Sequence, residues 1–260
     1  LIIAGSGPTD RNGNNPMMTN NSLLMLANEL KKNGIASVRY DKRGIGESTS
    51  SGLQESDLRF ENYVDDVKDW IELLNENNRF SDIIVLGHSE GALIGMIASQ
   101  KNEVKKFVSV AGAGISAGDI IREQLKAQPA VVLNQSLPII EKLENGERVE
   151  NVPQMLYPLF RPSVQPYMIS WFKYNPQIEI AKLNKPVLII QGTTDIQVSV
   201  SDADKLASAN KKSQKKIIEG MNHILKQAEL DRQKNIQTYS MPDLPLKKEL
   251  IKFIVEFIEE

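Results

Sequence analysis

Six short apolar runs recur along the chain, with segments of helical period between them, and this alternation constrains the fold more than any other feature. The runs are Leu1 to Ala4, Ala36 to Tyr40, Ile83 to Leu86, Lys106 to Val110, Val187 to Gln191 and Lys215 to Ile218. Such alternation is the pattern of repeated βα units, and it predicts an α/β domain with a mostly parallel central sheet flanked by helices. In "FENYVDDVKDWIELL", Phe60, Val64, Val67, Ile71 and Leu74 follow spacings of four and three, which makes one apolar helix face. Ala92 to Ala98 is apolar nearly all round and is expected as a buried central helix. Lys247 to Ile258 carries Leu250, Ile251, Ile254 and Ile258 on one side and is expected to close the domain.

From Ile115 to Asn184 the rhythm breaks: no strand pattern appears, prolines are frequent, and Tyr157, Phe160, Tyr167, Trp171, Phe172 and Tyr174 concentrate there. The expected organisation is a core in two parts, residues 1–114 and 185–260, interrupted by a helical cap at 115–184. Most of the cap aromatics are read as packing, and Met155, Phe160, Trp171 and Phe172 as candidate walls of a substrate pocket. With 260 residues, 41% of them hydrophobic, the chain can bury a large core. Its 31 basic and 33 acidic residues leave a formal charge of -2, so no electrostatic footprint for nucleic acid is present. The chain has no cysteine, which excludes disulfides, thiolate zinc sites and a cysteine nucleophile. No run is long enough to span a bilayer, no metal or cofactor is expected, and neither compartment nor oligomeric state can be read. The chain opens on "LIIAGSGP", already in a strand, and further N-terminal sequence is expected before it.

The run "DIIVLGHSEGALIGMIA" reads as strand, turn and helix with Ser89 in G-x-S-x-G spacing, the context of a nucleophile elbow. A serine hydroxyl is a poor nucleophile at neutral pH, so it needs a base for its proton and donors for the oxyanion that forms on the substrate. Two histidines are available. His88 precedes the serine on the strand and should point to the other side, which leaves His223, in "IIEGMNHILK", as the candidate base. The acid that orients the imidazole is sought at the end of a later strand; Asp195 follows "PVLIIQGTT", with a turn aspartate as the bland alternative and Asp119, Asp202 and Asp204 as weaker rivals. Oxyanion donors are expected from the backbone amides of Glu90, at the helix start, and Ser6, in the glycine loop "AGSGPTDRNGN", whose Gly5 and Gly7 are further candidate pocket residues. That loop lacks the spacing and the lysine of a phosphate cradle.

Five ordered motifs, "IIAGSGPTDRNGN", "VRYDKRGIGES", "LGHSEGALIG", "LIIQGTTDIQV" and "GMNHIL", resemble the α/β-hydrolase superfamily over almost the whole chain. Within it the chain looks most like the serine hydrolases described as serine aminopeptidase-like or esterase/lipase-like. The resemblance implies the α/β-hydrolase fold, with N-terminal strands of that fold missing here. It also implies hydrolysis of a small-molecule ester or amide through an acyl-enzyme on Ser89. Members that release N-terminal proline usually carry tryptophan in the elbow, where this chain has "HSEG", which favours esters over peptides. The peptidase alternative calls for a carboxylate cluster to receive an ammonium, for which Glu141, Glu144, Glu147 and Glu150 are candidates. An alternative of another class is a non-catalytic ligand-binding protein on the same fold. Asp41 and Arg43 are read as a structural turn network, and Glu90 as either reaching toward the cap or hydrogen-bonding locally.

Overall fold

The protein is described from a computed structural model covering residues 1–51 and 54–260. Five strands form one sheet: β1 (Ile2–Ile3), β2 (Ile83–His88), β3 (Val104–Val110), β4 (Val187–Gly192) and β5 (Gln214–Ile218). They lie side by side in that order, all parallel, with Ile2 beside Leu86, Leu86 beside Val108, Val108 beside Leu188 and Leu188 beside Gln214. In chain order the helices among the described residues are α1 (Ser22–Lys32), α2 (Phe60–Asn75), α3 (Glu90–Ala98), α4 (Ala117–Leu125), α5 (Ala130–Glu144), α6 (Tyr157–Phe160), α7 (Gln165–Phe172), α8 (Pro176–Ala181), α9 (Val200–Ala209), α10 (Arg232–Gln237) and α11 (Lys248–Glu259). None is long and apolar enough to cross a membrane.

Strand residues alternate between the two faces, so both need cover. Val85, Phe107 and Ile189 join Val64, Val67 and Ile71 of α2, Ile94 and Met96 of α3, and Leu206 of α9. Leu86, Val108 and Ile190 join Leu23 and Leu26 of α1 and Leu250, Ile254 and Phe257 of α11. The helix spacings read from the sequence thus select the buried faces of α2 and α11.

One expected strand is corrected. Ala36 to Tyr40 forms no ladder: Arg39 makes a single parallel bridge to Ile2, and the Ile2 N–H donates to the Val38 carbonyl at 2.9 Å. β1 is two residues long and offers no further rungs, while the Arg39 guanidinium turns away to the Arg11 carbonyl. This segment still lies on the far side of β1 from β2, so the chain leaves β1 in one direction and returns on the other. Open α/β sheets bind ligands at such a reversal, outside the carboxyl ends of the strands.

The loops at that end are held by charge. Asp41 accepts from the Arg11 amide (2.7 Å), from Arg11 Nη2 (2.6 Å) and from the Glu47 amide (3.0 Å), and Arg43 pairs with Asp66. Burial opposes the Asp41 charge, but the Arg11 side chain and the two amides outweigh it and bring the carboxyl down to about 2. Asp41 and Arg43 therefore brace a turn, as expected.

Between β3 and β4 the chain has helices and no strand among the described residues. Ile120, Ile121, Ile140, Leu143, Leu156 and Phe160 give this insertion a core of its own. Tyr167, Ile180 and Leu183 of this segment join the sheet core, and a further tie is Phe60, the first residue of α2. The Phe60 N–H donates to Ser170 Oγ (2.7 Å), and its ring stacks on Trp171 (6.3 Å, 10°) and contacts Tyr167 and Tyr174.

Two outcomes are expected. Phe60→Ala empties a fully buried site shared by both parts and lowers unfolding stability by about 3–5 kcal/mol in urea titration. Asp41→Asn lowers the melting temperature at neutral pH. Because the folded carboxyl lies below its unfolded value, that difference shrinks as pH falls below about 4 and vanishes toward pH 2.

Candidate active site

β2 turns into α3 through Ser89, whose φ of 57° and ψ of -122° are rare for a residue with a side chain. The turn is that sharp because α3 leaves directly back across β1 and β2. A Cβ on Gly87 would lie 2.1 Å from the Gly91 carbonyl oxygen, and one on Gly91 would lie 2.5 Å from that of Ile3, so only glycine fits at either position. The Ser89 N–H donates to the Val110 carbonyl (3.0 Å), and the side chain projects into a cavity at the carboxyl end of the sheet.

Ser89, His223 and Asp195, far apart in sequence, meet there. His223 Nε2 lies 3.1 Å from Ser89 Oγ, and His223 Nδ1 lies 2.8 Å from Asp195 Oδ2. With Nδ1–H donating to the carboxylate, Nε2 presents its lone pair to the hydroxyl, the tautomer a proton acceptor needs. The Asp195 side chain is 1% exposed, yet each oxygen has two donors. Oδ1 accepts from the amides of Gln197 (2.8 Å) and Val198 (3.0 Å), and Oδ2 from His223 and from Gln191 Nε2 (3.0 Å). Burial disfavours the charge, but the His223 ring and these hydrogen bonds prevail and hold the carboxyl below its ordinary value.

The rival aspartates are occupied elsewhere. Asp119 sits at the Ser116 cap of α4, Asp202 caps α9 and accepts from the Gly114 amide, and Asp204 pairs with Lys215. His88 makes no bond to the serine hydroxyl, but it is not a bystander. Its Nε2 donates to the His223 carbonyl at 2.7 Å, and the two rings lie 4.9 Å apart. Burial, with His223 adjacent, brings its pKa down to about 4, so it acts as a neutral donor that pins the His223 backbone.

Ser6 and Glu90 both face the cavity beside Ser89, and neither amide N–H has an acceptor among the described residues. For Glu90 this follows from its place as the first residue of α3. Gly7 lines the same mouth. Gly5 does not: it is buried beneath Ser89, where a Cβ would lie 3.1 Å from the serine Cβ. The Glu90 side chain reaches the insertion, accepting from Tyr167 Oη at 2.5 Å, and also meets Lys42 Nζ at 3.3 Å. The roles of Lys42 and Tyr167 carried no signal in the sequence analysis, because each acts through a partner far away along the chain, and that of Gln191 depends on how the turn after β4 folds Asp195 back onto it.

The cavity holds about 580 Å³ between the sheet and the insertion. Two insertion helices wall it with one face each: Ala117, Ile120, Ile121 and Gln124 of α4, and Val164, Tyr167, Met168 and Trp171 on and just before α7. Both sets follow i, i+3, i+4, i+7, the spacing of residues stacked on one side of a helix. Trp171 is thus a wall residue, and three other expected pocket residues are corrected. Phe172, one step of about 100° beyond Trp171, packs instead against the insertion core. Phe160 is wholly inside that core, and Met155 is 55% exposed on the outside. The spacing within α7 would have separated Phe172 from Trp171; aromatic content alone could not.

Glu144 pairs with Arg122, and Glu141, Glu147 and Glu150 are exposed; none lines the cavity. The carboxylates that do, Glu55 and Glu90, are engaged by Arg161 with Ser163 and by Lys42 with Tyr167. Among the described residues no three histidine, aspartate or glutamate side chains are grouped as metal ligands.

Residues 19–152, just over half of the chain, match the family described as Hydrolase_4, serine aminopeptidase, S33. The chain is similar to esterase EstD of Thermotoga maritima, 25% identical over an alignment of 233 residues, with 86% of this chain and 54% of that protein covered. It therefore spans about half the length of that curated relative. Among solved structures it resembles Est1E from Butyrivibrio proteoclasticus with ferulic acid bound, at a TM-score of 0.62 and 18% identity, covering 100% of this chain and 88% of that one. It also resembles a bromoperoxidase from Bacillus anthracis, at a TM-score of 0.58 and 15% identity, covering 100% and 91%. Identities this low speak to the fold, and the fold they share with this parallel sheet is that of the α/β-hydrolases. By its match over more than half its length, the chain belongs to the serine aminopeptidase S33 family of α/β-hydrolases.

Proposed function

We propose that the protein is a serine hydrolase that cleaves carboxylic esters of small or medium acyl groups. The observation that carries this reading is the hydrogen-bonded line from Ser89 through His223 to Asp195, opening on a largely apolar cavity of about 580 Å³. Ser89 Oγ attacks the acyl carbonyl carbon while His223 Nε2 takes its proton, and Asp195 stabilises the imidazolium that results. The carbonyl oxygen, now an oxyanion, is held by the amides of Ser6 and Glu90. The intermediate collapses to an acyl-Ser89, and the departing alcohol receives the proton from His223. Water then attacks the acyl group, His223 takes its proton in turn, and the free acid leaves as Ser89 regains its hydrogen. The acyl chain is seated against the apolar faces of α4 and α7.

EstD is named as an esterase, which supports this substrate class. The family description raises a second reading, release of an N-terminal residue from a peptide. An ammonium would need an unpaired carboxylate in the cavity, and both carboxylates lining it already have cationic and hydroxyl partners, which favours esters.

Ser89→Ala is expected to lower kcat on p-nitrophenyl esters by about 10⁴-fold or more and to abolish labelling by a fluorophosphonate probe. Adding His223→Ala to it should lower the rate no further, because the two residues act as a unit. A wild-type protein that neither hydrolyses the esters nor takes up the probe would overturn the assignment. In a side-by-side panel, acyl p-nitrophenyl esters should show higher kcat/KM than aminoacyl p-nitroanilides; the reverse order would favour the peptidase reading.

A further inference from the structure

Lys42 is 1% exposed, and both hydrogen bonds of its ammonium lead to the proposed oxyanion hole. Its Nζ donates to the Gly5 carbonyl at 2.6 Å and lies 3.3 Å from Glu90 Oε2, above the ring of Tyr63 at 5.0 Å. The Gly5 carbonyl belongs to the same peptide unit as the Ser6 N–H. In a planar trans peptide the C=O and N–H point in opposite directions, so drawing the oxygen toward Lys42 aims the Ser6 N–H the other way. Glu90 contributes the second amide, and its carboxylate is held between Lys42 and the Tyr167 hydroxyl of α7 (2.5 Å). Burial, with Glu90 beside it, pushes that phenol well above its usual range, so Tyr167 remains the donor.

We propose that Lys42 is a positioning residue for the oxyanion hole: through Gly5 and Glu90 it orients both donor amides, and Tyr167 links that arrangement to the insertion that walls the cavity. The loop holding Ser6 is rich in glycine and free to rotate, and a buried ammonium gripping one carbonyl removes that freedom. A hydrogen bond to a charged group is stronger than a neutral one, which suits a contact that must hold while charge develops nearby.

The inference rests on the serine-hydrolase reading, so its test separates the two. An ester is compared with its thionoester, whose C=S sulfur is a weak acceptor and too large for donors set for oxygen. Lys42→Met is combined with Glu90→Gln, so that no buried charge is left alone. The double variant is expected to lose about 10- to 100-fold in kcat on the ester with KM within about threefold, and its ester-to-thionoester rate ratio should fall about tenfold. Parallel loss on both substrates, or a rise in KM alone, would overturn the proposal and leave the hydrolase reading intact. Wild-type protein inert toward esters would overturn both. Should the double variant not fold, Tyr167→Phe removes one hydroxyl at the far end of the chain of contacts. There the ratio should fall severalfold, and an unchanged ratio overturns the proposal.

Discussion

The close approach of α3 to β1 and β2 sets the conditions for everything else at the site. The helix comes so near that positions 87 and 91 have no room for a side chain, and Ser89 is left in a backbone conformation that costs about 1–3 kcal/mol. That cost is met by the burial of Ala92, Ile94, Met96 and Ala98 in the larger core. The strain places the serine side chain at the carboxyl end of the sheet. It also brings Glu90 to the same space, so a hydroxyl and an amide N–H with no acceptor among the described residues come from one turn.

Around that turn, buried charges are held by partners within the protein. Asp195 has four donors, and Lys42 lies between a carbonyl and a carboxylate. Lys226, just past His223, donates to the carbonyls of Asn20 and Met241 at 2.6 Å each, while burial brings its pKa down to about 8. Each of these groups ties the loop of one strand to that of another, and a buried charge stripped of its partner is strongly destabilising. The loops that carry Ser6, Asp195 and His223 lie outside regular secondary structure and are tied by these contacts.

Much of this was legible from the chain alone where the cause was local. Strand runs and helix spacings report which face of an element is apolar, and α2, α3 and α11 lie where those spacings put them. The reading failed where a neighbour decided. Ala36 to Tyr40 has strand composition but a two-residue partner, and Phe160 and Phe172 have pocket chemistry but face another core. His88 was set aside as pointing away from the serine, yet it reaches the backbone of the histidine it was contrasted with.

Local patterning, then, was enough for the α/β class and for the elbow with its two glycines, because short-range sterics and periodicity govern them. Which carbonyl Lys42 grips, how Gln191 completes the shell of Asp195, and that Tyr167 reaches Glu90 across the cavity came only from the folded chain. Those contacts join residues separated by 37, 4 and 77 positions, and even the shortest of them depends on the turn after β4. A hydrogen bond is decided by distances of a few tenths of an ångström, which are set only when the whole sheet and its helices have packed.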